Sequence, residues 1–303
     1  MNVPKLNLSA RWIDPHSPDR RPRRAAYALP TLFTAGNLFL GFYAILRSYE
    51  GALMAASGQM GANRHFEIAA IVIGVAVFLD GLDGRIARMT NTVSDFGREM
   101  DSLADCITFG IAPAVLAFAW GFYFVDGSLA GPLRQHLLRA GVFVCFLYLL
   151  CGAARLARFN IQTNPIPKNP GRPDRKYFVG LPIPAAAAMV AAAIYATDSV
   201  PLTWWIPAVA WIVLLAMLSF LMVSTWRYRS FKDFNLLSPR SFKSVILLGS
   251  LIYLILNYSQ PVLLGMAVAY VGSGIVVRIG GSLRRRLQHR SARKAGHSEH
   301  QVG

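Results

Sequence analysis

The chain has 303 residues, 54% of them hydrophobic, and a mean hydropathy of +0.40, which is more apolar than the core of a water-soluble domain requires. This composition argues against a soluble globular protein and predicts a membrane protein. The formal net charge of +16 does not indicate a nucleic-acid partner, because most lysines and arginines lie at the ends of apolar stretches and in the terminal segments.

The chain begins with a segment, residues 1–26, that combines prolines with an arginine cluster. Such a composition buries too little surface to hold a fold, so it predicts a disordered, basic cytoplasmic tail. The basic segment 281–303 predicts a second tail of the same kind. Residues 27–280 between them predict one transmembrane domain.

Eight apolar stretches approach the roughly 20 residues that a helix needs to cross a bilayer. Helices are expected because hydrocarbon cannot satisfy open backbone groups. The predicted fold class is therefore all-α, a polytopic transmembrane helical bundle of about eight spans. The last two stretches are short and polar at their junction, so a re-entrant pair is the alternative there. The predicted spans are 29–48, 66–88, 101–124, 138–157, 181–197, 203–224, 244–258 and 261–279.

Most lysines and arginines of the loops follow spans two, four and six, and the carboxyl-terminal segment is also rich in them. Under the positive-inside rule, one orientation satisfies all of them. It predicts a multi-pass protein of the cell membrane with both termini in the cytoplasm. The basic segments can also attract anionic lipid headgroups.

Four aspartates, Asp80, Asp83, Asp101 and Asp105, meet at the boundary between spans two and three. Their spacing places the first two on one helical face and the last two on one face of the next helix. Carboxylates crowded near hydrocarbon repel one another unless protons, bases or cations compensate them. All-oxygen ligands favour Mg²⁺ or Mn²⁺ over zinc, and two such ions can clamp a pyrophosphate. The active site is predicted to face the cytoplasm.

Small and basic residues share these two faces. Gly84 and Gly97 leave room for a bulky nucleotide or for close approach of the helices. Arg88 can hold phosphate oxygens through its forked donors. Ser94, in the polar connection, can either add a hydrogen bond to the ligand or cap a helix.

The complete pattern, D-x2-D-G-x2-A-R-x8-G-x3-D-x3-D, resembles the signature of the CDP-alcohol phosphotransferase family. The resemblance implies that Asp80, Asp83 and Asp101 are metal ligands. It implies that Asp105 completes a second metal site and accepts a proton during catalysis. It also implies that Gly84, Arg88 and Ser94 contact the CDP moiety of a CDP-lipid.

Segments outside the signature resemble the membrane-embedded phosphatidylserine synthases of that family. They surround Asn37, Pro113, Arg155 and Gly180. This resemblance implies attack of the L-serine hydroxyl on CDP-diacylglycerol, with phosphatidylserine and CMP as products and a homodimer as the assembly.

Arg155, Arg158 and Asn160 end the fourth span on the predicted side of the aspartates. They are candidates to bind the serine carboxylate, and the alternative for the arginines is anchoring at the membrane boundary. Asn37, inside the first span, either contacts the nucleotide of the CDP-lipid or forms an interhelical hydrogen bond.

Other functions remain open on the sequence. A phosphatidylglycerophosphate synthase would use the same donor, but its expected Asp-Pro and Asp-Lys pairs are absent, because Ser102 and Cys106 follow the last two aspartates. Phosphatidylinositol-phosphate and phosphatidylcholine synthases are further alternatives. A cation channel or transporter is disfavoured, because the acidic residues cluster at one boundary instead of recurring through the membrane depth.

Overall fold

The computed structural model describes residues 20–90, 95–125, 131–163, 177–229 and 242–278, and these are mostly helical. The predicted tail 281–303 lies outside the described residues, as does 1–19 of the amino-terminal tail. The helices are α1 (Arg20–Ala56), α2 (Arg64–Thr90), α3 (Asp95–Asp105), α4 (Ala112–Gly121), α5 (Gly131–Thr163), α6 (Ile183–Tyr195), α7 (Trp205–Val223), α8 (Phe242–Asn257) and α9 (Ser259–Arg278).

Every predicted span coincides with a helical segment. The third span is built from α3, a short π-helix over Cys106–Ile111, and α4 in succession. Five helical segments in the described part of the chain are long and apolar enough to cross a membrane, and α6 is a shorter apolar helix. The prediction of an all-α, multi-pass membrane protein is confirmed.

The first helix begins earlier than the apolar pattern suggests, because residues 20–26 of the predicted tail already belong to α1. Arginine is a good helix former, and Pro22 is tolerated because the first turn of a helix leaves its N–H groups without intrahelical partners. The helix therefore extends beyond the apolar stretch that marks the first span.

Two short strands join the connections that precede α6 and follow α7. Tyr177–Val179 pairs antiparallel with Arg227–Arg229, and Phe178 lies opposite Tyr228. Gly180 follows the first strand with a φ of +82°, and a Cβ there would lie 2.5 Å from the Met222 carbonyl oxygen. Glycine is required at this position because both the backbone conformation and the space exclude a side chain.

Small residues allow the helices to approach closely in the core. A Cβ at Gly41 of α1 would lie 2.6 Å from Thr108 Oγ1, and one at Gly152 of α5 would lie 2.6 Å from Ile183 Cδ1. Helices α1 and α2 pack along each other, as do α5 and α7. Close packing of this kind stabilises helix pairs in lipid, where the hydrophobic effect does not favour association.

The last helix is attached to the bundle near both of its ends. Gln260 Nε2 donates to Asp198 Oδ1 at 2.7 Å. Further along α9, the Tyr270 ring lies 5.9 Å from the ring of Tyr228, and Gly274 leaves room for that same ring. Helix α9 thus runs from the α6–α7 connection to the strand pair.

Candidate active site

Three carboxylates from two helices converge at one end of the bundle. Asp80 lies on α2, and Asp101 and Asp105 lie one turn apart on α3. Each offers an oxygen within 4.8 Å of the others' oxygens. Asp80 and Asp101 are half-buried, whereas Asp105 is only 9% exposed. The prediction that the facing stripes of two helices form one acidic site agrees with this placement.

The other residues of the acidic pattern are only partly described. Asp83, Gly84 and Arg88 belong to α2, but their side chains lie outside the described residues, and Ser94 lies outside them entirely. Gly97 is described and half-buried, one turn before Asp101 on α3. The proposed contacts of these residues with metal or CDP stay predictions.

The donor set fits a hard divalent cation. Three carboxylate oxygens at this separation offer negative charge and hard oxygen ligands, which Mg²⁺ and Mn²⁺ prefer. Members of the family to which the acidic pattern points use such ions in general. Asp80, Asp101 and Asp105 are the described residues that would hold one.

Asn37 lies on α1 beside the helix that carries the aspartates. Its main-chain carbonyl accepts a hydrogen bond of 3.0 Å from Thr108 Oγ1, three residues beyond Asp105. Its side chain is 4% exposed, and Oδ1 has no hydrogen-bond partner among the described residues. Buried amide oxygens normally have a partner, so the carboxamide is suited to a ligand group.

Arg155 and Arg158 have different surroundings, although both lie near the end of α5. The Arg155 side chain is half-buried, and Tyr270, the like-charged Arg158, Asp105 and Asp80 all lie within electrostatic range of its guanidinium. Its Nε atom is buried and has no hydrogen-bond partner in the described part of the chain. Arg155 is therefore close enough to the acidic site to interact with its charges.

Arg158 instead contacts the end of α7. Its Nη1 donates to the Val223 carbonyl at 3.1 Å, and its Nη2 lies 3.5 Å from the Met222 carbonyl oxygen. The last carbonyls of a helix have no intrahelical donors, and a cation there is favoured by the helix dipole. These bonds give Arg158 a structural role in capping α7.

Asn160 links α5 to α3 next to the acidic cluster. Its Nδ2 donates to Ser102 Oγ at 2.9 Å, and Ser102 is the neighbour of Asp101. Ser102 Oγ also donates to the Arg98 carbonyl at 3.0 Å. This contact places Asn160 beside the acidic cluster, and its contact with the acceptor stays a prediction.

The sequence reasoning missed three side chains that surround these residues: Thr108, Tyr148 and Tyr270. The Tyr148 hydroxyl donates to the Phe109 carbonyl at 3.1 Å. Pro113 gives a sequence signal for this contact. Because proline has no N–H, it cannot donate to the Phe109 carbonyl, four residues earlier, as a regular α-helix would require. Tyr270 is 115 positions from Arg155 by residue number, and nothing in the local sequence pairs them.

Residues 27–216 match the family profile described as CDP-alcohol phosphatidyltransferase. A protein of Helicobacter pylori strain 26695, named CDP-diacylglycerol--serine O-phosphatidyltransferase, is 36% identical over 251 residues, which cover 82% of this chain and 91% of the relative.

Two further relatives come from other organisms. The archaetidylserine synthase of Methanothermobacter thermautotrophicus is 34% identical over 205 residues, covering 66% of this chain and 69% of the relative. A Saccharomyces cerevisiae protein with the same name as the Helicobacter relative is 38% identical over 154 residues, covering 51% of this chain and 49% of the relative.

Proposed function

The chain belongs to the CDP-alcohol phosphatidyltransferase family, and from this membership we propose that it transfers the phosphatidyl group of CDP-diacylglycerol to L-serine. The products are phosphatidylserine and CMP. The convergence of Asp80, Asp101 and Asp105 supports the reaction class. Their negative charges are complementary to a divalent cation that is bound to a pyrophosphate. The choice of serine rests on the names of relatives that align over most of their length.

The chemical step is an attack of the serine hydroxyl on the phosphorus that carries the diacylglycerol group. A new phosphorus–oxygen bond to serine forms, the bond to the CMP oxygen breaks, and CMP leaves with that bonding pair. Asp105 accepts the proton of the serine hydroxyl and later releases it to solvent. General-base help of this kind is worth about 10²–10⁴-fold in rate.

The carboxylates also define what the site needs from a cofactor. Asp80, Asp101 and Asp105, together with the predicted ligand Asp83, would hold two ions of Mg²⁺ or Mn²⁺. When bound, such ions offset the negative charge of the pyrophosphate oxygens and of the leaving group. The low exposure of Asp105 limits competition from water for the proton.

Arg155 is the better candidate of the two arginines for the serine carboxylate. Its electrostatic interaction with Asp80 and Asp105 supports a position beside the reacting groups. Arg158 already donates to carbonyls at the end of α7. A forked guanidinium suits a carboxylate because it offers two parallel donors. We keep Asn160 and Asn37 as proposed contacts of serine and of CDP, respectively.

The protein is proposed to act in the cytoplasmic membrane, with both termini and the active site facing the cytoplasm. The distribution of lysine and arginine among the loops supports this orientation. The family resemblance supports a homodimer, which cross-linking in native membranes would test. A wholly monomeric protein would refute that assembly without affecting the proposed reaction.

The decisive experiment supplies purified protein in detergent with CDP-diacylglycerol, Mn²⁺ or Mg²⁺, and either serine or glycerol 3-phosphate. We expect CMP release and phosphatidylserine only with serine. A lipid product only with glycerol 3-phosphate would keep the family chemistry and overturn the acceptor. No CMP with any tested alcohol would overturn the proposed reaction and reopen the transport alternative.

A further inference from the structure

The helix that carries Asp101 and Asp105 changes its hydrogen bonding directly after Asp105. Residues Cys106–Ile111 form a π-helix, in which the Ala112 N–H donates to the Ile107 carbonyl, five residues earlier. A π-turn holds one residue more than an α-turn and is often found at functional sites.

Pro113 lies two residues after this π-helix, in the first turn of α4. Proline has no N–H, and its ring clashes with the carbonyl four residues earlier in a regular α-helix. The affected carbonyl is that of Phe109, a residue that is fully buried. A buried carbonyl needs a hydrogen-bond donor, and Pro113 cannot provide one.

The donor comes from another helix. Tyr148 of α5 is fully buried, and its hydroxyl donates to the Phe109 carbonyl at 3.1 Å. Tyrosine hydroxyls that are buried almost always find such a partner. The bond therefore ties α5 to the backbone of the turn that begins beside Asp105.

A second hydrogen bond ties the turn to α1. Thr108 Oγ1 donates to the Asn37 carbonyl at 3.0 Å, and Gly41 brings the α1 backbone against Thr108. Thr108 is itself fully buried. The π-helix is thus clamped between α1 and α5 by two hydroxyl-to-carbonyl bonds.

We propose that Tyr148 is a positioning residue for Asp105, acting through its hydrogen bond to the Phe109 carbonyl in the π-turn that precedes Pro113. Phe109 lies four residues after Asp105, so the bond fixes the turn on which the carboxylate is oriented. A shift of about 1 Å in a reacting group costs on the order of 100-fold in rate. The inference rests on the proposed function only in taking Asp105 as a metal ligand and base.

The test compares Tyr148→Phe with a matched control, Tyr195→Phe. Tyr195 also uses its hydroxyl between helices, at 2.8 Å from Ser259 Oγ, but at the end of α6 far along the chain from the aspartates. Mn²⁺ affinity is measured from the free-ion signal by electron paramagnetic resonance, and kcat and KM for serine are measured in parallel.

For Tyr148→Phe we expect Mn²⁺ binding to weaken about tenfold, as for other residues that orient a metal-binding carboxylate. We expect kcat to fall with an unchanged KM for serine, because only the position of Asp105 is altered. Tyr195→Phe should match the wild type in all three quantities. Tyr148→Phe with wild-type Mn²⁺ affinity and kcat would overturn the proposal, even if its thermal stability were lower.

If Tyr148→Phe does not fold, a second pair of variants tests the premise that this turn orients Asp105. Thr108→Val removes the bond to α1 with only a small change in side-chain size, and Thr108→Ser keeps the hydroxyl. We expect the valine variant to lose Mn²⁺ affinity and the serine variant to retain it; equal affinities would overturn the role of the clamp. If the wild type makes no phosphatidylserine, the proposed function fails, and the Mn²⁺ comparison still tests the positioning role.

Discussion

The two ends of the helical bundle treat their carboxylates in opposite ways. At the α1–α2 connection, Glu50 Oε2 lies 2.7 Å from Arg47 Nη1 and 2.9 Å from His65 Nδ1. At the other end, three aspartates place oxygens within 4.8 Å of one another. One end pairs a single carboxylate with basic side chains at short distance, whereas the other brings three carboxylates together within electrostatic range of Arg155.

The difference separates residues that support the fold from residues that can bind a ligand. A partly exposed ion pair contributes about 0–1 kcal/mol and needs no further partner. Clustered carboxylates repel one another, and that repulsion is relieved when a cation binds or a proton is taken up. Carboxylates remote from the acidic site, such as Glu50, therefore serve as controls for Asp105 and Asp80.

The largest expected effect is that of Asp105→Asn, with Glu50→Gln as the matched loss of a carboxylate at the other end. Asp105→Asn should lower kcat by at least about 10²–10⁴-fold, because the amide cannot accept the serine proton. Glu50→Gln should keep the wild-type kcat. CMP release under saturating substrate measures both. Turnover near the wild-type level in Asp105→Asn would remove it as the base.

The second largest effect is expected for Asp80→Asn, which should weaken metal binding. Removing a ligand should weaken Mn²⁺ binding by at least the roughly 10–100-fold that is typical of losing a supporting residue. Asp198→Asn is the control, because the Asp198 carboxylate accepts from Gln260 at the opposite end of α6. Equal Mn²⁺ affinities of the two variants would contradict the metal site.

The two arginines of α5 provide a third comparison. Arg155→Ala should raise the KM for serine by about tenfold or more, because a charge-assisted bond to the carboxylate is lost. Arg158→Ala should instead lower the free energy of unfolding by about 1 kcal/mol, because the carbonyls at the end of α7 lose a donor. Serine titrations and thermal unfolding in detergent separate these outcomes. The reverse pattern would assign the acceptor to Arg158.

The smallest expected effect belongs to the α1–α2 connection. Asn63 Oδ1 accepts from the His65 N–H at 3.1 Å, and its Nδ2 donates to the Gly51 carbonyl at 2.8 Å. Asn63→Ala should cost about 1 kcal/mol of stability, as is typical for loss of a helix amino-terminal cap. Serine KM and kcat should not change. A large loss of activity would show that the two ends are coupled.

Much of the fold could be predicted from local patterns. Each apolar stretch became a helix because length and hydropathy act within one segment, and the start of α1 differed because arginine and proline permit helix before the apolar stretch. The strand pair could not be predicted, since its two strands begin 50 positions apart, at Tyr177 and Arg227. Pairing between distant connections depends on where the helices between them end.

The acidic site, like the fold, could be predicted from the sequence only in part. The sequence alone determined that Asp80, Asp101 and Asp105 share one site, because helical periodicity sets which side chains face one side. It could not distinguish Arg155, near the aspartates, from Arg158, on the end of α7. Nor could it pair Tyr148 with the carbonyl that Pro113 leaves without its helical donor. Tertiary structure decided these contacts, because they depend on the distance and rotation between helices packed from distant parts of the chain.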